Sequence, residues 1–263
     1  MNVLVCSPAT YQLEAPEVGE YLASVYLWAH QHKVEIAKSG VRKGRIHQIR
    51  NAAVEQAQQL GFDRILFIDP DMVVDRYLAA GQEPFLPTAM RHLDGHPGSV
   101  AAAPYCGPWP ERTIRVFGID PENGKLFHCS HGFSQWREGW HQVAAVGTGL
   151  MLIDVCLFSD LEPPYFEDQY RTRNQIAMKH SQDVTFCKRV RDAGHEIWVN
   201  FSSWCGHYQN SIVDPPGLEG QRDGEINLNA QRTTERWDGS KGATLPGDNI
   251  PGKTSPGEVV QET

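Results

Sequence analysis

A ten-residue stretch decides the fold of this chain, and it reads Arg64-Ile65-Leu66-Phe67-Ile68-Asp69-Pro70-Asp71-Met72-Val73. The apolar run at its start predicts a strand that is buried on both faces. Two aspartates separated by one proline follow this strand. Carboxylates at the exit of a buried strand are costly unless they are paired or bind a metal. Because Asp-Pro-Asp also suits a plain turn, the segment alone predicts either a turn or a metal site.

Strands and helices alternate in the sequence that leads up to this stretch. Periodicity and turn residues predict strands over residues 2–6, 34–37 and 64–68 and helices over residues 18–31 and 45–60. Such alternation calls for a parallel sheet with right-handed crossovers. Ligands of such sheets bind at the carboxyl ends of strands, so we expect a site where the first and third of these strands end.

The sequence after this stretch is less regular. It predicts a strand over 99–103, a hairpin over 115–129, a long strand over 143–154 that Gly147-Thr148-Gly149 interrupts, a helix over 183–193 and a last strand over 196–200. We therefore expect an α/β fold with a mostly parallel central sheet, flanking helices and a small antiparallel element.

The character of the chain changes near residue 210, where glycine and proline become dense and no apolar period survives. We expect a main domain over residues 1–210 and an irregular C-terminal extension over residues 211–263. The last part of this extension has the composition of a mobile tail.

Composition narrows the class of protein. The 263 residues carry a formal net charge of −8, which argues against a nucleic-acid binder that relies on a basic surface. A nucleotide ligand is still compatible with this charge, because a metal neutralises a diphosphate locally.

The six cysteines include no C-x-x-C pair, which disfavours a zinc ribbon and predicts reduced, mostly buried thiols. No signal peptide or membrane-spanning run is recognisable, so we expect a cytoplasmic protein.

Four segments, taken in order, resemble the GT-A glycosyltransferases, a Rossmann-like family of nucleotide-diphospho-sugar transferases. They are the strand with Asp69-Pro70-Asp71 after a helix that bears Arg50-Asn51, the glycine-containing strand Val146-Gly147-Thr148-Gly149-Leu150, the helix start Ser181-Gln182-Asp183, and Cys205-Gly206-His207-Tyr208 after the last strand. The family has an acidic pair where this chain has Gln182-Asp183, so the first acid is missing and the catalytic assignment rests on the second.

The resemblance implies a site with three parts. Mn²⁺ or Mg²⁺ would be held by Asp69, Asp71 and His207, and Asp183 would be the general base that removes the proton of the acceptor hydroxyl. The nucleotide-sugar would be bound by the remaining candidates, which are Ser7, Pro8, Thr10, Arg50, Asn51, Asp69, Gly147, Thr148 and Gly149. Trp109, Trp136 and Trp140 are candidate acceptor contacts, although core packing or a subunit contact is the commoner role for any one tryptophan.

The implied activity is metal-dependent transfer of a sugar from a UDP- or GDP-sugar to a glycan, lipid-linked or other hydroxyl acceptor. Two alternatives stay open: a non-catalytic module of the same fold that binds nucleotide-sugar or glycan, and a phosphatase of the haloacid dehalogenase type. The phosphatase motif normally ends the first core strand, whereas two predicted strands precede Asp69 here. No G-x-G-x-x-G follows the first strand, which disfavours a dinucleotide-binding enzyme.

Overall fold

The structure is a computed structural model and describes residues 1–8, 15–41, 44–107, 113–129, 138–170, 178–208 and 212–213. Its helices are α1 (Pro16–His32), α2 (Ile46–Leu60), α3 (Phe85–Gly95) and α4 (Gln182–Asp192), and a 3₁₀ turn spans Val155–Asp160. Its strands are β1 (Asn2–Cys6), β2 (Glu35–Lys38), β3 (Arg64–Ile68), β4 (Met72–Val73), β5 (Val100–Ala102), β6 (Val116–Ile119), β7 (Leu126–His128), β8 (Trp140–Gln142), β9 (Ala145–Val146), β10 (Leu150–Asp154), β11 (Gln169–Tyr170), β12 (Met178–His180), β13 (Ile197–Asn200), β14 (Gly206–Tyr208) and β15 (Ile212–Val213).

Seven strands form the central sheet in the order β2-β1-β3-β10-β5-β13-β8. Five of them run in one direction, and β10 and β8 run the opposite way. The hairpin of β6 and β7 is antiparallel and belongs to a separate three-stranded sheet. The expected fold class, a mostly parallel sheet with a small antiparallel element, is therefore confirmed.

Helices cover both faces of the central sheet. Along β1, the side chains of Val3 and Val5 pack in one apolar layer with α1 and α3, while Leu4 and Cys6 pack in the other layer with α2 and α4. Because both faces are buried, the central strands have unbroken apolar sequences rather than alternating ones. Gly61 caps α2 in the left-handed conformation, with φ of 70°, as its predicted role as the helix stop requires.

The long strand expected over residues 143–154 is instead two strands in two different sheets. Ala145–Val146 pairs with β6, whereas Leu150–Asp154 lies between β3 and β5 in the central sheet. Gly147-Thr148-Gly149 forms the crossing between the sheets. Periodicity could not reveal the break, because residues 143–146 and 150–153 are buried and apolar on both sides of it.

Another small sheet, of the order β15-β14-β4, joins the end of the described chain to the segment just after β3. Its strands are two or three residues long. Residues 214–263 lie outside the described residues, so the C-terminal extension stays a prediction there. Ile212–Val213, inside the predicted extension, pairs with β14.

All six cysteines are free thiols, and only Cys156 is exposed. The predicted reduced and mostly buried thiols are thus confirmed. Over the part of the chain that the structure describes, no helix has both the length and the apolar character that crossing a bilayer requires.

Candidate functional site

The predicted site residues meet at one edge of the central sheet. Ser7 follows the carboxyl end of β1, and Asp69 follows that of β3. Because β10 is antiparallel to β3, with Leu150 opposite Ile68, the segment before β10 starts at the same edge. These candidate residues therefore lie at the carboxyl ends of the strands, where ligands of such sheets bind.

Arg50, in α2, connects two of the predicted acidic residues. Its side chain is 1% exposed, yet it carries a charge. One guanidinium nitrogen, Nη2, donates to Asp69 Oδ1 at 2.5 Å, and the other, Nη1, donates to Asp183 Oδ1 at 3.1 Å. A buried guanidinium of this kind is stable only because carboxylates compensate its charge.

Burial and charge shift the proton affinities of these groups. Burial raises the pKa of Asp69 to about 6, although the Arg50 guanidinium opposes the rise, and the nearby charges of Asp183 and Asp71 add to it. For Arg50, burial lowers the pKa, but Asp69 and Asp183 outweigh it and the pKa is raised overall. The arginine therefore remains charged, with the carboxylates of Asp69 and Asp183 on its guanidinium.

Thr148 and its neighbouring glycines lie against this charged group. The Thr148 hydroxyl, fully buried, donates to Asp183 Oδ1 at 3.0 Å. The backbone N–H of Asp69 donates to the carbonyl of Gly149 at 2.8 Å. A Cβ on Gly149 would lie 2.8 Å from both Met72 Sδ and Tyr105 Cε1, so this position has no room for a side chain.

Asp71 pairs with His207. Strand β14 lies beside β4, and His207 Nε2 is 3.1 Å from Asp71 Oδ2. The other ring nitrogen, Nδ1, is 3.0 Å from the carbonyl oxygen of Cys106, to which it donates. Burial lowers the pKa of His207, but the hydrogen bond and charge of Asp71 and the Cys106 carbonyl raise it above its ordinary value overall.

The remaining residues that the sequence predicts to bind the nucleotide differ in burial and in hydrogen bonding. Ser7 and Pro8 are buried after β1, and the Ser7 hydroxyl has no hydrogen-bond partner within the described ranges. The Asn51 amide donates to the carbonyl of Phe166 at 2.8 Å and accepts from the N–H of the same residue at 2.9 Å. Its polar atoms therefore already hold a neighbouring segment in place. Thr10 lies outside the described residues.

Two of the three candidate tryptophans, Trp109 and Trp136, also lie outside the described residues. The third, Trp140, stacks on His92 with ring centroids 4.1 Å apart. Trp140 lies in β8, an edge strand of the central sheet, and its contact with His92 is a packing contact.

Tyr105 belongs to the site but was not predicted from the sequence. Its ring fills the space beside Gly147 and Gly149 and meets the His207 ring edge-on, with centroids 5.4 Å apart. Burial, followed by the charges of Asp183 and Asp69, raises the pKa of its hydroxyl well above the ordinary value, so the hydroxyl stays protonated. The only signal in the sequence was its place just after a predicted strand.

The described site is acidic but does not contain a complete metal-binding cage. In the segments that the structure describes, no three His, Cys, Asp or Glu side chains are grouped closely enough to hold a metal ion. Asp71 and His207 form a pair of the right donor types, and Asp69 is already bonded to Arg50. Any cation bound here would need further ligands from water or from a substrate.

This chain is similar to known proteins in structure but not in sequence. Neither a protein-family model nor a curated protein sequence matches this chain. The crystal structure of A197 from STIV matches with a TM-score of 0.50 and 16% identity, over 80% of this chain and 86% of that one.

Two further solved structures are similar at lower scores. GalNAc-T7, solved with UDP, GalNAc and Mn²⁺, matches at a TM-score of 0.44 and 11% identity. The match covers 79% of this chain and 43% of the GalNAc-T7 chain. Apo UDP-glucose pyrophosphorylase matches at 0.42 and 11% identity, over 79% of this chain and 93% of that one. At these identities the likeness concerns the fold alone.

Proposed function

We propose that this chain is a metal-dependent glycosyltransferase that moves a sugar from a nucleotide-diphospho-sugar to an acceptor hydroxyl. The observation that carries the proposal is that two groups lie side by side at the carboxyl edge of the sheet. Asp69 and Asp183 share the buried Arg50, and Asp71, two residues after Asp69, pairs with His207. These groups come from the turn after β3 and from α2, α4 and β14, and only the fold brings the four segments together. A turn with no function would not require them to converge.

The donor types of Asp71 and His207 fit a divalent cation. His207 Nδ1 donates to the Cys106 carbonyl, which turns the second ring nitrogen, Nε2, towards Asp71 Oδ2 at 3.1 Å. A neutral imidazole would then present a lone pair to a carboxylate oxygen, and this contact is favourable only with a proton or a cation between them. Histidine ligands of metals are commonly oriented by such a hydrogen bond from their other ring nitrogen.

Two protein ligands suffice for this chemistry. Mg²⁺-type ions are usually held by one or two carboxylates together with water and substrate phosphates, and an imidazole suits Mn²⁺ as well. When bound, the cation supplies charge that stabilises the departing diphosphate. Ser7, whose buried hydroxyl lacks a partner within the described ranges, offers a hydrogen bond to the nucleotide from the neighbouring strand end.

Asp183 is the proposed general base. Its side chain is 22% exposed at the first turn of α4, and Arg50 and Thr148 fix one of its oxygens. The acceptor oxygen forms a bond to the anomeric carbon, the bond from that carbon to the diphosphate breaks, and Asp183 takes the acceptor proton. A base of this kind contributes ~10²–10⁴-fold in rate. In a retaining enzyme, Asp183 would instead orient the sugar.

A thermal-shift panel tests the proposal. UDP-, GDP-, CDP- and dTDP-sugars are each added with and without Mn²⁺, and one donor class should stabilise the protein only when the metal is present. A ligand at 100 times its Kd adds ~2.7 kcal/mol to the free energy of unfolding. Asp71→Asn should abolish the metal-dependent part. Asp94→Asn is the control, because Asp94 lies away from the site and accepts a 2.7 Å hydrogen bond from Arg64. This variant should keep the metal-dependent stabilisation.

Turnover separates an enzyme from a binding module. The donor class identified by the panel is incubated with Mn²⁺, and release of free nucleoside diphosphate is followed with water or added sugars as acceptors. Release that Asp183→Asn reduces supports the transferase. Metal-dependent binding without release, across varied acceptors, would favour the non-catalytic module.

A further inference from the structure

We infer that Asp69 is not a metal ligand but the anchor of a closed hydrogen-bonded ring that positions Asp183, an inference that rests on the proposed function. The ring runs from Asp69 through Arg50 to Asp183 and returns through Thr148 and Gly149. Arg50 and Thr148 are then positioning residues for the base. The metal is left to a separate pair of side chains.

Four hydrogen bonds make up the ring. Arg50 donates to Asp69 at 2.5 Å and to Asp183 at 3.1 Å. Thr148 donates to Asp183 at 3.0 Å, and the backbone N–H of Asp69 donates to the Gly149 carbonyl at 2.8 Å. Because one peptide bond joins Thr148 to Gly149, the contacts close on themselves. Elements β3, α2, α4 and the segment before β10 are thereby fixed to one another at the site.

Asp69 is held more firmly in this ring than a metal ligand would be. Moving Asp69 Oδ1 from Arg50 to a cation would take away one of the two carboxylates that compensate a guanidinium only 1% exposed, and an uncompensated buried charge is strongly destabilising. The Asp69 side chain is 16% exposed, whereas that of Asp71 is 31% exposed. Asp71 is bonded to His207, so a cation can bind there without breaking any contact of the ring.

The ring also determines which oxygen of Asp183 is available. Within the described residues, the hydrogen bonds from Arg50 and Thr148 both end on Oδ1. Oδ2 is left to receive the proton of the acceptor hydroxyl. Catalytic groups work best when neighbouring contacts fix their orientation, and here a single arginine orients the base and is itself held by Asp69.

Metal binding gives the first test, and it needs no turnover. Free Mn²⁺ is measured by electron paramagnetic resonance during titration of wild type, Asp69→Asn and Asp71→Asn, with UDP or GDP present. Asp71→Asn should weaken Mn²⁺ binding about tenfold or more, since even loss of a contact that supports a ligand costs about 10–100-fold. Asp69→Asn removes a nearby charge but no ligand, so it should weaken binding much less than Asp71→Asn does. An Asp69→Asn variant that weakens binding as much as Asp71→Asn would overturn the assignment.

The second test compares the kcat of single variants with that of a double variant. Residues that act as a unit show losses that do not multiply, so Asp69→Asn combined with Asp183→Asn should lower kcat no further than Asp183→Asn alone. Thr148→Val, which keeps the buried shape and removes the hydroxyl, should lower kcat while the KM for the donor stays unchanged. Losses that multiply fully, or a Thr148→Val effect confined to KM, would contradict the ring.

A second buried ion pair supplies the matched control. Arg64 Nε donates to Asp154 at 2.8 Å at the opposite edge of the sheet. Asp154→Asn should lower stability but leave kcat and Mn²⁺ binding unchanged. A wild type that binds Mn²⁺ and transfers no sugar would refute the proposed function, whereas loss of Mn²⁺ binding in Asp69→Asn would refute the ring, so the two failures are distinguishable.

Discussion

His207 Nε2 lies 3.1 Å from Asp71 Oδ2, although 136 positions separate the two residues in the sequence. The contact exists because β14 pairs with β4, which places His207 opposite Met72, the residue next to Asp71. A backbone hydrogen bond from the Tyr208 N–H to the Asp71 carbonyl, 2.6 Å long, fixes this register. The carboxylate and the imidazole are thus held as a pair before any ligand binds.

The first prediction is that this pair binds Mn²⁺ as a unit. Asp71→Asn and His207→Gln should each weaken Mn²⁺ binding about tenfold, which is about 1.4 kcal/mol, and the double variant should be little worse than either single one. Isothermal titration with Mn²⁺ and nucleoside diphosphate measures the three affinities.

The control for the first prediction is a pair with the same geometry elsewhere. His195 Nε2 is 3.1 Å from Asp160 Oδ2, between the 3₁₀ turn and the start of β13. His195→Gln and Asp160→Asn should leave Mn²⁺ affinity unchanged. If these variants weaken binding as much as the Asp71 and His207 variants do, the metal is not at the proposed site.

The second prediction concerns the space beside Gly149. Because an added Cβ would meet Met72 Sδ and the Tyr105 ring at 2.8 Å, Gly149→Ala should destabilise the protein by ~1–3 kcal/mol and weaken donor binding. Urea unfolding and donor titration measure the two effects. Gly19→Ala is the matched control, because Gly19 is exposed in α1 with open space around it. That variant should gain ~0.5–1 kcal/mol. Equal stability of both variants would contradict the steric argument.

The sequence was sufficient for the elements that depend on local pattern. β1 and β3 coincide with their predicted ranges, and α1 and α2 match to within one or two residues at each end. The position of Asp69 and Asp71 at a strand exit followed directly from the end of the apolar run. These features are readable because each depends on neighbours in the sequence.

Contacts between distant segments were not readable in the same way. The sequence places Arg50 among the residues predicted to bind the nucleotide, but it gives no sign that Asp69 and Asp183, from two other elements, compensate its charge and allow its burial. Hydrophobic periodicity has no signature for a buried charge. Nor could it reveal that His207 meets Asp71, because the strands that join them are only two or three residues long.

The third prediction is a pH-dependent stability that arises from Asp75. Burial raises its pKa from 3.8 to about 6, although its carboxylate accepts the Phe85 N–H at 2.9 Å and this bond lowers the pKa. The folded state therefore holds a proton between pH 4 and 6 that the unfolded state has released. The contribution of Asp75 to the free energy of unfolding therefore falls as pH rises, by at most ~1.4 kcal/mol per pH unit.

Asp75→Asn removes this titration and can still accept the Phe85 N–H. Asparagine also tolerates the left-handed backbone at this position, where φ is 58°. Urea unfolding between pH 4 and 7 should show the variant gaining stability relative to wild type up to about pH 6, with no further gain above it. The exposed Glu122 provides the control, as Glu122→Gln should track wild type throughout. A constant difference between Asp75→Asn and wild type across the range would refute the prediction.

The fourth prediction has the opposite sign and arises from His92. Its ring stacks on Trp140 at 4.1 Å and on His96 at 4.2 Å. Burial, followed by the charge of His96, lowers its pKa from 6.5 to about 4, although Glu196 opposes the change. The unfolded state takes up a proton below pH 6.5 that the folded state does not accept until near pH 4. Stability from this group is therefore present above pH 6.5 and is lost as pH falls through this window.

His92→Phe keeps an aromatic ring for the stack and removes the proton uptake. It also removes His92 Nε2, a buried nitrogen without a hydrogen-bond partner in the described part of the chain, so the variant should not lose stability at pH 7. Relative to wild type, its free energy of unfolding should increase steadily as pH is lowered from 6.5 to 4. His30→Gln, at an exposed position on α1, should show no such trend. A His92→Phe variant that parallels wild type over this range would show that the imidazole titrates normally in the folded protein, and the stack with Trp140 would then not exclude its charged form.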